Sequence, residues 1–376
     1  MTAALARVPA GVQYVFGDEA RLRRAVERRV LDVFAGWSYQ EVLLPAFDRA
    51  ELFERGLGQG RARTYRFTDA EGELLALRPE LTTLVARVVT SRLAGERPPL
   101  RLAYSGEVFR FDPPRRGRRA ELHQLGLEHV GTNRLEADLE VLLVCLEALR
   151  ALGLTGHRIA LGHVGFLQGI AESLGLPPEL SAELRARLDQ RDADGVARAL
   201  AGRADAGRVA ELARLASLTG GPEVLRDALS LVKNPVSRAA AQELAQVLET
   251  ARAADLAGDL DLALEVDLGS VAGFEYYTGM TFQVFAPGCP VAVGGGGRYD
   301  RLMGQLGRDL PAVGFSLCLD WLVEAVTRAG LAPRLAPAPA PEALRGAALP
   351  ELFHRAVRAR AEGQVVRVEG PAERSP

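Results

Sequence analysis

In the stretch ELHQLGLEHVG, residues 121–131, a carboxamide, a glycine and a carboxylate fall on every second position: Gln124, Gly126 and Glu128. Successive side chains of an extended strand point to opposite faces, so these three share one face and His123, Leu125, Leu127 and His129 the other. The gap at Gly126 leaves room for a small ligand to lie against the strand. Gln124 and Glu128 would receive its donors, and a free amino group suits Glu128. The same alternation also describes a solvated sheet face. Upstream, in RLAYSGEVFRFD (101–112), Val108, Arg110 and Asp112 share a face. If that face also bears Gln124 and Glu128, a guanidinium for a carboxylate stands near a carboxylate for an ammonium, the complement of an amino acid. A surface ion pair is the other use of Arg110.

The remaining chemistry-bearing residues exclude more than they offer. VAVGGGGRYD (291–300) has no Gly-Lys-Ser/Thr ending, and Lys233 is the single lysine of the chain, so the glycine run is not a lysine-bearing phosphate loop. Arg115, Arg116, Arg118 and Arg119 could grip phosphates, but their Pro/Gly spacing also describes a solvated loop. His123 and His129 share a face with leucines, and His157, His163 and His354 show no ligand spacing. Cys145, Cys289 and Cys318 are odd in number and far apart, which argues against a disulfide framework and against zinc. No metal and no cofactor is expected.

With 376 residues, 48% hydrophobic composition and a formal net charge of -2, the chain can bury a full core and presents no global basic field for nucleic acid or membrane. The first twenty residues lack an apolar run of signal-peptide length, and VLLVCLEALRALGL is interrupted by Glu147 and Arg150. A cytoplasmic protein is expected.

The elements that must hold the hairpin follow from spacing. Leu22, Val26, Val30 and Val33 recur at helical intervals between Asp18, which can cap a helix, and Gly36, which can close it. YQEVLLP (39–45) reads as a strand stopped by Pro45. Residues 64–68 and 73–78 make a predicted hairpin, 81–93 a helix, and 101–112 with 121–131 a long hairpin. Asn133 with Glu136 forms a capping-box pattern for a helix running to about 152. Residues 165–260 are Ala/Leu/Arg/Glu-rich between Gly and Pro breaks, an expected helical insertion. Strand character returns in LALEVDLG, YYTGMTFQVF and VAVGGGG, ahead of a helix over about 315–328. Residues 1–330 thus form the core, and 331–376 a Pro/Ala linker and short C-terminal tail.

Taken together, these residues resemble the class II histidyl-tRNA synthetases. RLAYSGEVFRFDPPRRGRRAELHQLGLEHVG is similar to their second signature motif, and EVLLPAFDRAELF (41–53) to the first, which lies at a dimer interface. LRPELT (77–82), EYYTG (275–279), GGGGRYDRLMGQLG (294–307) and PAVGFSLCLDWL (311–322) resemble further family segments in the family's order. The resemblance implies an α+β fold, a class II aminoacyl-tRNA synthetase-like antiparallel sheet flanked by helices, with the glycine run as a sheet element against which substrate sits. It also implies a histidine pocket made by Glu80, Thr82, Arg110, Gln124, Glu128, Tyr276 and Tyr277. If the adjacent tyrosines lie on a strand, one meets the ligand and the other packs behind it.

Two departures shift the expected function. Ala272 in SVAGFEYYTG and Trp321 in LCLDW stand where the synthetases carry arginines for activation and for ATP phosphate; the anticodon-binding domain of the synthetases is likewise not expected here. Adenylate transfer develops charge on phosphate, so losing two preorganised cations is expected to remove most of the rate. A histidine pocket kept without those cations resembles the paralogue family that serves as regulatory subunit of ATP phosphoribosyltransferase. That resemblance implies a non-catalytic, allosteric chain of histidine biosynthesis that forms a homodimer and a hetero-oligomer with a short catalytic subunit, takes histidine as ligand, and has no use for tRNA. The alternative is a divergent histidyl-tRNA synthetase core that activates histidine with ATP.

Overall fold

The computed structural model describes residues 8–57, 64–111, 119–254, 264–269, 276–336, 342–345 and 349–369. The hairpin tip at 112–118, with Arg115, Arg116 and Arg118, and the position Ala272 lie outside them. The chain divides into two units, Met1–Leu331 and Ala332–Pro376.

Fourteen strands are described: β1 (Gln40–Glu41), β2 (Phe47–Arg49), β3 (Arg66–Thr68), β4 (Leu74–Leu77), β5 (Leu100–Phe109), β6 (Glu121–Val130), β7 (Arg158–His163), β8 (Thr219–Gly220), β9 (Leu264–Asp267), β10 (Met280–Phe285), β11 (Gly294–Arg298), β12 (Ala312–Cys318), β13 (Glu342–Arg345) and β14 (Val366–Glu369). Nine of them form one sheet in the order β1-β5-β6-β12-β11-β10-β7-β9-β8. Its centre is antiparallel, as the resemblance implied, while β1 on β5 and β7 on β9 pair in parallel, so the sheet is mixed. β2, β3 and β4 form a small separate sheet.

Helix α1 (Gly17–Gly36) covers the sheet face that carries His123, burying Val26, Val30 and Phe34, and Phe34 meets Phe315 edge-on at 5.6 Å. The opposite face, with Leu102, Tyr104, Val108 and Val130, packs against α2 (Ala50–Leu57) and α3 (Thr82–Ser91). These apolar contacts leave Glu128 inside the molecule rather than on a solvated face. Helix α4 (Leu135–Ala151) follows β6, and short helices between Val164–Ser173 and Pro235–Ala253 make up the insertion. In the second unit, β13 and β14 pair in parallel, and Leu344, Leu352 and Ala356 form its core.

Several local expectations are corrected. α1 starts at Gly17, whose φ of +63° is easy only for glycine, so Asp18 lies inside the first turn and pairs with Arg21 at 2.9 Å instead of capping. α4 starts at Leu135 without a side-chain cap from Asn133; Arg298 holds this end through the Thr132 and Arg134 carbonyls. Only Gln40–Glu41 of the 39–45 run is strand, because Arg78 takes the Leu44 and Pro45 carbonyls. Residues 315–318 belong to β12, and the helix begins at Leu319.

Candidate functional site

Hairpin register puts Gly106 opposite Gln124, Tyr104 opposite Gly126 and Leu102 opposite Glu128. The next strand adds Ser316 beside Gly126 and Gly314 beside Glu128. Onto this floor comes the segment preceding α3. Glu80, 3% exposed, accepts the Thr83 N–H at 3.1 Å, which places a carboxylate at a helix N-terminus. Thr82 donates its hydroxyl to Glu128 Oε1 at 2.8 Å.

Glu128 is 1% exposed and also accepts hydroxyls from Tyr104, at 3.1 Å, and from Tyr299. Burial pushes its carboxyl up to about 8, against the pull of the three hydroxyls. Burial raises Glu80 too, opposed by the Thr83 donors and by the charge of Arg110. Two buried carboxylates with raised affinity for protons favour a ligand that brings its own cationic or N–H donors.

Glu80, Thr82, Gln124, Glu128, Tyr276 and Tyr277 line one inner cavity of about 30 Å³, the order of space that holds one or two waters. Gln124, Tyr277, Gly295 and Ser316 also line an outer cleft of about 230 Å³. Arg110 lines that cleft and donates Nε to the Pro79 carbonyl at 2.9 Å. It therefore shares the face of Gln124: six of the seven residues singled out from the sequence line the inner cavity, and Arg110 lines the cleft that shares Gln124 and Tyr277 with it.

Three readings of the site change. The gap at Gly126 is filled by the ring of Tyr104, so a ligand cannot lie flat there. A Cβ at 126 would also stand 2.5 Å from the Phe315 carbonyl oxygen; Gly126→Ala is expected to cost about 1–3 kcal/mol in denaturant unfolding. Tyr276 and Tyr277 precede β10 and lie outside any strand, so both rings, 4.9 Å apart, line the cavity. Tyr104 and Tyr299 were missed as site residues. An aromatic residue across the hairpin from a glycine was the available signal for Tyr104; nothing local marked Tyr299.

The outer cleft holds a single arginine among its described lining residues, Arg110. Trp321 forms part of its wall, and the guanidinium of Arg119 lies 5.8 Å from the indole centre while pairing with Asp320. Arg119 is thus drawn to a carboxylate behind the cleft.

The sequence model of the histidyl-tRNA synthetase family matches residues 11–322, which takes in every strand of the nine-stranded sheet. Over 366 residues the chain is 37% identical to the ATP phosphoribosyltransferase regulatory subunit of Moorella thermoacetica, covering 97% of this chain and 92% of the relative. The chain belongs to the ATP phosphoribosyltransferase regulatory subunits. The fold of this regulatory-subunit chain is found in a solved Bacillus halodurans protein described as an ATP phosphoribosyltransferase regulatory subunit/histidyl-tRNA synthetase, with a TM-score of 0.85 at 24% identity over 98% of this chain and 94% of that one. A histidine–tRNA ligase subunit from Alicyclobacillus acidocaldarius has a TM-score of 0.73 at 29% identity, over 86% and 98%. The regulatory subunit thus carries its hollow on a class II synthetase-like fold.

Proposed function

We propose that this chain is the non-catalytic regulatory subunit of ATP phosphoribosyltransferase. It activates a short catalytic subunit at the first step of histidine biosynthesis and carries feedback inhibition by free histidine, which occupies the hollow around Glu128. The observation that supports the ligand is the convergence of two buried carboxylates, Glu80 and Glu128, with the guanidinium of Arg110. Histidine matches them with an ammonium, an imidazole N–H and a carboxylate. Relatedness over nearly the whole length of a curated regulatory subunit supports the partner.

Activation of histidine by ATP would call for several fixed cations around the phosphates, and the outer cleft offers Arg110 beside the indole of Trp321. Leu43, 87% exposed, and Phe47, 48% exposed with its ring 5.5 Å from that of Phe67, offer an apolar surface on the first-motif segment for a second copy of the chain. Such a subunit works in the cytoplasm without tRNA; no helix among the described residues is long and apolar enough to cross a membrane.

The test is phosphoribosyl transfer from phosphoribosyl pyrophosphate to ATP by the catalytic subunit, with and without this chain. The chain is expected to raise turnover and to make it fall with added histidine. A chain that leaves turnover unchanged, or that catalyses histidine-dependent pyrophosphate exchange into ATP on its own, overturns the reading.

A further inference from the structure

Residues 78–82 touch two places at once. On the inner side, Pro79 accepts from Arg110, Glu80 and Thr82 line the inner cavity, and Thr82 bonds Glu128. On the outer side, Arg78 N–H donates to the Ala46 carbonyl at 3.0 Å, and one guanidinium nitrogen donates to the carbonyls of Leu44, at 2.7 Å, and Pro45, at 3.2 Å. Nε of the same side chain donates to the Glu107 carbonyl on β5 at 2.5 Å, and the Arg78 carbonyl accepts from Phe109 at 2.9 Å. Arg78 is 6% exposed, whereas Leu43 and Phe47, flanking the carbonyls it holds, are 87% and 48% exposed.

The space for this guanidinium comes from Gly106. A Cβ at that position would stand 2.6 Å from Nη2 of Arg78, and Gly106 lies directly across from Gln124 of the pocket. A planar group with five donors can hold three carbonyls of two separate segments in fixed directions; an ammonium on a flexible stem cannot. A ligand that moves the 78–82 wall therefore either carries residues 44–46 with it or breaks those bonds.

We propose that Arg78 is a positioning residue that couples occupation of the amino-acid pocket to the conformation of the surface segment 43–47. The proposal rests on the reading that the pocket takes histidine. Arg78 itself stays outside the cavity lining, so its role is to transmit rather than to bind.

The test is hydrogen exchange of the full chain, followed by mass spectrometry on peptides spanning 43–47, with and without saturating histidine, for the wild type, Arg78→Lys and Gly106→Ala. Calorimetry on the same samples gives the affinity for histidine. In the wild type, histidine is expected to change the exchange rate of this segment by about fivefold or more, the lower end of usual coupling. Arg78→Lys, which keeps the charge but not the fork, and Gly106→Ala, which pushes the fork aside, are expected to bind histidine within about tenfold of wild type and lose that response. Where one variant loses its fold, the other reads the link. A response of wild-type size in a folded variant overturns the proposal, and so does a wild type that binds histidine with exchange in 43–47 unaltered. A wild type that takes up no histidine in the calorimeter overturns the pocket reading itself, and the coupling with it.

Discussion

Glu128→Gln is expected to abolish high-affinity histidine binding and, at the same time, to stabilise the empty protein. With its oxygen in the place of Oε1 the amide keeps the hydroxyls of Thr82 and Tyr104, but it cannot carry charge. Losing a buried charged partner costs about 2–5 kcal/mol of binding, so the affinity measured by calorimetry should fall by roughly 30-fold to 4,000-fold. Stability moves the other way. The carboxyl of Glu128 titrates near 8 in the folded chain against an ordinary 4.5, so the folded state holds a proton that the unfolded state has released across that window. A raised folded value gives stability that is fully present below 4.5 and lost as pH rises through about 8. Between pH 6 and pH 8.5 the wild type should therefore lose about 2–3 kcal/mol that the amide variant keeps. Parallel unfolding curves at both pH values would remove the buried carboxyl as the cause. Below about pH 8, binding a cationic ligand must also expel the proton from Glu128, so the heat of histidine binding is expected to vary with the ionisation enthalpy of the buffer. Equal heats in phosphate and in Tris would mean that the ligand leaves this proton in place.

What the sequence disclosed about the site follows from the range of the forces involved. Alternation within β6 is local, fixed by the pleat, and it placed Gln124 and Glu128 on the pocket side and His123 on the side of α1. The hydroxyl of Tyr299 reaches Glu128 only because β12 and β11 come to lie beside β6, an order that no local pattern encodes. The apolar run at 315–322 fits strand and helix alike; pairing with β6 and β11 decides its first half, and Asp320, bonded to the His123 backbone, belongs to the first turn of the helix. Helix starts were misread for a related reason. The Thr132 and Arg134 carbonyls in the turn before α4 are held by Arg298 from β11, a contact that no local pattern announces, and the helix starts without a side-chain cap.

Those same contacts make Arg298→Ala the substitution with the largest expected loss of stability. Arg298, 8% exposed, ends the glycine run and grips Asp138 of α4 with Nε at 3.1 Å and Nη2 at 2.9 Å, the parallel fork that carboxylates bind best. Nη1 reaches Asp300 at 3.1 Å, and Asp300 in turn accepts the Ala312 N–H at 3.1 Å, so one guanidinium ties α4, β11 and β12 together. Removing it leaves the carboxylate of Asp138 buried without a cation, a loss of about 3–5 kcal/mol. Burial already raises the carboxyl of Asp138, and Arg298 is the chief influence holding it down. In the variant that carboxyl should rise further, so the variant should recover part of its stability on acidification while the wild type does not gain in the same way. The pair can also be removed together: Arg298→Met with Asp138→Leu fills similar volume without charge and is expected to restore most of the loss. Denaturant unfolding of the wild type and the two variants at pH 5.5 and pH 8 separates the explanations. A single variant that costs under about 1 kcal/mol, or a double variant no better than the single one, would show that the clamp contributes shape rather than charge compensation. Because Tyr299 follows Arg298 directly and bonds Glu128, the single variant should also weaken histidine binding, and the double variant should restore it in step with stability.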